Sequence, residues 1–194
     1  RLCLWFPGKS VESVYGFSRT RNNFINICEK NGVKVLDGGF DAPDHCIQVS
    51  VGQPYSHSDY QKIWSRKDGV AKSIGVTVFE STNINPGWAK SFYQHDACWT
   101  SSEFCASRFR DEFKILGIQI PTSIIANGVD IGSFPPMYRP IRGTKNNPFT
   151  FFWMGSNPKD RKRGEFVVEV FRKLNLPNTR LIVKHSPIYS MPYN

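Results

Sequence analysis

The chain has 194 residues, 40% hydrophobic and 21% charged, a balance that supports a packed core and excludes a disordered polymer. Its 25 basic residues outnumber the 16 acidic ones, and the net charge of +9 favours polyanionic partners: nucleic acid, an anionic membrane face or phosphorylated small molecules. No apolar run approaches the roughly 18 residues of a membrane-crossing helix. The five cysteines include no CxxC pair, which argues against a disulfide framework or zinc site and for a reducing, cytoplasmic setting.

In chain order, "LCLWF" predicts a buried strand broken by Pro7-Gly8. The chain enters this run directly from Arg1 and closes on "SPIYSMPYN", so it reads as a piece cut at both ends. After Gly16, "FSRTRNNFINICEKNG" predicts a helix with Phe17, Phe24, Ile27 and Cys28 near one face and Gly32 at its C-terminal cap. "VKVL" and "CIQVSVG" predict the next two strands, and the span from Tyr55 to Ala71 reads as mixed helix and loop. "IGVTVFES" predicts a β-branched strand, Pro86 opens the helix "GWAKSFYQ", and "ACWTS" is a short strand. Ser102 is suited to cap "EFCASRFRDEFKILG", in which Cys105, Phe109, Phe113 and Leu116 keep helical spacing, Glu103 suits the helix dipole and Gly117 ends the run.

Next, "SIIANGVDIGSFPP" takes a short apolar strand into an Asn-Gly turn that either finishes a domain or presents Asn127 and Asp130 to a ligand at the strand end. A proline-rich polar linker follows over 135–147, after an N-terminal domain over 1–134. The rhythm then restarts over 148–194, where "FTFFWMG" and "RLIVKH" predict strands around the helix "EFVVEVFRKLN". That helix carries Phe166, Val167, Val170, Phe171 and Leu174 at amphipathic spacing. Repeated β-α-β units imply an α/β fold: a Rossmann-like parallel sheet with helices on both faces, then the truncated start of a second such domain. Ligands of such sheets sit outside the carboxyl ends of the strands.

The strongest chemical signal is "MGSNPKDRKRGE", where a strand ending at Gly155 leads through Lys159, Arg161, Lys162 and Arg163 to Gly164 and a helix. Cationic side chains and helix-start amides suit a diphosphate cradle, with a glycine at 155 admitting a ligand close to the backbone, and the alternative is a solvated charged turn. It is not a Walker A loop. Gly16 marks a second turn before a helix, without a full GxGxxG. Glu80 is placed at a strand end either to hold sugar hydroxyls or move a proton, or to cap the following turn, and His57 follows another strand end. No HExxH or GxSxG appears, so protease and hydrolase readings fall away.

Taken together these segments resemble glycosyltransferase family 4, the retaining enzymes of GT-B fold. "VTVFESTNINPGWAKSFYQHDACWTSSEFCASRF" is similar to the family stretch of a Glu-containing strand, a Pro/Trp helix, a strand and a Ser-Glu-Phe helix start. "IIANGVDIGSFPP" resembles its Asn-Gly-Val-Asp segment, and "FTFFWMGSNPKDRKRGEFVVEVFRKL" the opening of its second domain. The basic loop is slightly longer than the common form, and the family's Glu-x7-Glu motif is missing, because the chain stops before the place where the resemblance would put it.

The resemblance implies transfer of a sugar from a nucleotide-sugar donor to an acceptor hydroxyl of a carbohydrate, a lipid-linked molecule or another compound, with retention and without a metal or other cofactor. It assigns Gly16, Gly155, Arg161, Lys162, Arg163 and Lys184 to the donor. Glu80, His57 and Asn127 go to the acceptor, with Glu80, Arg161 and Lys162 as the catalytic groups. The basic surface admits peripheral membrane contact. A sugar-nucleotide epimerase of the same fold is one alternative. A basic nucleic-acid-binding α/β module is another, disfavoured because the basic residues are scattered and concentrate only at 159–163.

Overall fold

Strand β1 (Leu4–Phe6) lies inside a six-stranded sheet whose order is β2-β1-β3-β4-β5-β6. The other members are β2 (Val35–Asp37), β3 (Ile47–Val51), β4 (Lys72–Val76), β5 (Ala97–Thr100) and β6 (Thr122–Ile124). Every pairing is parallel, with Trp5 beside Leu36 and Gln48, Val49 beside Ile74, and Val76 beside Trp99. The computed structural model describes residues 3–8, 16–53, 62–129, 131–138, 142–155 and 162–185. They fall into two compact units, Arg1–Asp130 and Ile131–Asn194.

Alternation along the strands sends apolar side chains to both faces, as a sheet covered on both sides requires. On one face Phe6, Val49, Val51 and Val76 pack with Ile25 of α1 (Gly16–Lys30), flanked by Phe17, Phe24 and Trp99. On the other, Cys98 packs with Trp64, Phe92 and the Phe109 and Phe113 rings of α3 (Glu103–Leu116). A third cluster joins Cys3, Trp5, Cys46 and Val70. Between β4 and β5 the chain forms α2 (Pro86–Lys90), capped by the Asn85 side chain on the Gly87 amide at 2.9 Å, and then a 3-10 turn, Ser91–Gln94. The predicted single helix therefore tightens over its second half.

Helix α3 begins and ends where its sequence signals lie. Ser102 Oγ accepts from the Cys105 amide at 3.2 Å, and Gly117 turns left-handed at φ 70°. Helix α1 corrects the expected apolar face. Ile27 is exposed and Cys28 half-buried, while Arg21 and Ile25 point inward. The phase is set by Arg21, which finds a polar socket under β1.

Several buried polar groups pair with one another inside the core. Gln48 donates to Ser50 Oγ and to the Ser65 carbonyl, both at 2.9 Å. Ser73 Oγ meets His95 Nδ1 at 2.8 Å, and the His95 ring stands edge-on to Trp64 and Phe92. Of the five cysteines, all reduced, Cys3, Cys46, Cys98 and Cys105 are buried and only Cys28 is half-exposed.

The second unit pairs β7 (Phe149–Gly155) with β8 (Thr179–His185) in parallel, and α4 (Gly164–Leu174) joins them. Phe151 meets Phe171 edge-to-face, so the odd-numbered residues of β7 face α4. Of the expected α4 stripe, Phe166 and Leu174 are exposed, and the helix buries Gly164 and Val168 instead. No helix among the described residues is long and apolar enough to cross a membrane.

Candidate functional site

In the first unit the chain runs from β1 outward to β2 and then returns across β1 to β3. The topological switch point therefore lies between the carboxyl ends of β1 and β3, where open parallel sheets bind ligands. Gly8 stands at the end of β1 with φ 87°, and a Cβ there would meet the Ile63 side chain at 2.9 Å, so the position requires glycine. Gly38 and Gly39 turn at the end of β2, and the Gly8 amide donates to the Gly39 carbonyl at 2.8 Å. Beneath them Arg21 donates from Nη2 to the carbonyls of Phe6 at 3.0 Å and Gly8 at 3.3 Å, and pairs with Asp37. This guanidinium ties α1 to the ends of two strands. Sequence reading missed it, because an arginine in a polar helix carries no sign of burial.

Gly16 is the first residue of α1, so it opens the helix rather than preceding it. Glu80 was expected at a strand end. Strand β4 stops at Val76, and Glu80 lies four residues beyond it, exposed. The chain leaves the ladder there because the Phe79 peptide is held by Cys105 at the start of α3. The Phe79 amide reaches Sγ at 3.4 Å, and the thiol donates to the Phe79 carbonyl at 2.9 Å. A cysteine read only as a small hydrophobe thus fixes the backbone next to Glu80. Asn127 is exposed, three residues past β6. His57 and Asp130 lie outside the described residues.

In the second unit Lys162 and Arg163 are exposed immediately ahead of α4. Arg163 is the N-cap residue in a left-handed conformation, φ 51° and ψ 35°, and its carbonyl accepts from the Val167 amide at 3.1 Å. Arg161 lies outside the described residues. The expected reason for Gly155 differs from the observed one. The space beside its α-carbon is filled by the Trp153 ring, which a Cβ would meet at 2.7 Å. Lys184 pairs with Met154, one residue out of phase with Trp153 and Gly155, so it leaves the sheet on the face opposite α4. Lys162 and Lys184 are both near strand ends, but the strand alternation directs Lys184 away from the Trp153 side.

Among the described residues no group of three or more His, Cys, Asp or Glu side chains is placed to hold a metal ion. A hollow of about 540 Å³ lies between the end of α3 and the start of β6, lined by residues including Arg110, Phe113, Lys114, Ile118 and Pro121. It is at the amino edge of the sheet, opposite the strand ends, and contains none of the expected site residues. No protein-family model and no curated protein matches the chain.

Proposed function

We propose that the chain is a retaining glycosyltransferase of GT-B type, moving a sugar from a nucleotide-sugar donor to an acceptor hydroxyl. The observation that carries this reading is the exposed Lys162–Arg163 pair at the start of α4, beside the carboxyl end of β7. Departure of a nucleoside diphosphate builds negative charge on the bridging oxygen, and fixed cations with helix-start amides stabilise that charge as it forms. Lys162 and Arg163 supply the cations, with Arg161 preceding them in sequence. In the first unit, Glu80 and Asn127 are exposed beyond the carboxyl ends of β4 and β6, where acceptor hydroxyls find hydrogen-bonding groups. The second unit's Gly155 makes room for the Trp153 ring, which bonds to the Lys162 carbonyl.

The test is donor turnover by the full-length protein carrying Lys162→Ala and Arg163→Ala. Loss of cations that act on the departing diphosphate lowers turnover about 10²-fold or more. Turnover within twofold of wild type would remove the basis of the proposal.

A further inference from the structure

We propose that Trp153 is a positioning residue for Lys162 and Arg163, an inference that rests on the glycosyltransferase reading of these two as the diphosphate-binding cations. Residues 153 and 155 of a strand share a face, so an indole at 153 projects beside the α-carbon of 155. The ring fills that space. A Cβ on Gly155 would lie 2.7 Å from Trp153 Cζ2, 2.8 Å from Cη2 and 3.2 Å from Lys162 Cβ. From the same position Trp153 Nε1 donates to the Lys162 carbonyl at 3.0 Å. Strand end, indole and Lys162 main chain therefore form one contact, and any larger residue at 155 would displace it.

The next residue shows what this contact holds. Arg163 has φ 51°, a region that side-chain-bearing residues occupy when their neighbours hold them there. Its carbonyl begins α4 by accepting from Val167. With the Lys162 carbonyl pinned by the indole, the turn enters Arg163 in the left-handed conformation, and both basic side chains leave the backbone in set directions. Without that bond the peptide between 162 and 163 loses its restraint on the Lys162 side, and the two cations are no longer held in one arrangement at the start of α4. Trp153 itself touches no ligand; it acts through Lys162 and Arg163.

Inorganic pyrophosphate is the probe, titrated into the full chain by calorimetry and by tryptophan emission, with urea unfolding run on the same samples. Trp153→Phe keeps most of the ring and removes the donor; Gly155→Ala keeps the donor and displaces the ring. Both variants are expected to bind pyrophosphate about three- to tenfold more weakly, the effect of one lost hydrogen bond, in buffer without urea, where both stay folded although their unfolding midpoints fall. The emission change on binding is expected in wild type and lost in Trp153→Phe. Wild-type affinity in both variants, or weaker binding accounted for by unfolded chain in buffer without urea, overturns the positioning role and leaves the donor site standing. Failure of the wild-type chain itself to bind pyrophosphate overturns both.

Discussion

Acidification offers a direct test of the core, through His95. Its side chain sits at the amino end of the sheet with 3% of the residue exposed, against Ser73 Oγ and the Trp64 and Phe92 rings. Burial first, and the nearby Arg66 charge second, push its pKa down to about 4, with Asp96 acting weakly the other way. The unfolded chain binds this proton near its ordinary value of 6.5, so between those limits the unfolded state holds a proton that the folded state lacks. Stability from this group is complete above that value and is lost as pH falls towards 4. At about 1.4 kcal/mol per pH unit the whole interval amounts to about 3 kcal/mol. Asp96 adds little here. Burial raises its pKa, but the Ser73 amide, Lys72 and Arg66 together hold it below the usual carboxylate range, so its contribution falls only under more acidic conditions. Urea unfolding at half-unit steps from pH 7.5 to 4.5 measures the slope, in wild type and in His95→Gln. The expected result is a flatter profile for the variant, by about 2 kcal/mol over that range. Superimposable slopes would show that His95 does not carry this linkage.

Three further tests concern packing and backbone geometry. Gly75→Ala places a Cβ 2.7 Å from the Phe92 ring and 3.0 Å from Trp64, so we expect a loss of about 1–3 kcal/mol in urea unfolding, partly recovered by Phe92→Leu. Arg21→Met leaves the Gly8 carbonyl and the half-exposed Asp37 carboxylate without their donor, and about 2–4 kcal/mol should be lost by the same measurement; a change under 1 kcal/mol would mean the guanidinium is not a structural tie. Ser102→Ala and Gly117→Ala each remove one end signal of α3, and each should lower stability by about 1 kcal/mol, with additive effects because the two ends are far apart.

Most of the fold was legible because short runs of β-branched residues bounded by turn residues, and capped helices, announce themselves locally. The core of β3, the start of α3 at Ser102 and its end at Gly117, and the span of β7 all lie where pattern and cap residues put them. Tertiary contacts account for what was not legible. β4 ends at Val76 although "TVF" continues its pattern, because the Phe79 peptide turns to the Cys105 thiol. The inward face of α1 is centred on Arg21 because carbonyls at the end of β1 wait for a donor, and no helical periodicity encodes that. Around the basic turn, a tryptophan two residues before a glycine in "WMG" did carry a signal, since the two share one side of a strand. Reading the glycine as room for a ligand overlooked the nearer claimant.

The distribution of thiols gives the molecule an internal stopwatch. A thiol-reactive dye added to native protein meets Cys28 alone in partial reach of solvent, and slowly, since burial and then the adjoining Glu29 raise that thiol's pKa. Cys98 and Cys105 belong to the α3 side of the sheet, while Cys3 and Cys46 sit together near the start of β1 and β3. The order in which these two pairs become labelled under mild denaturant therefore reports which flank of the sheet breathes first.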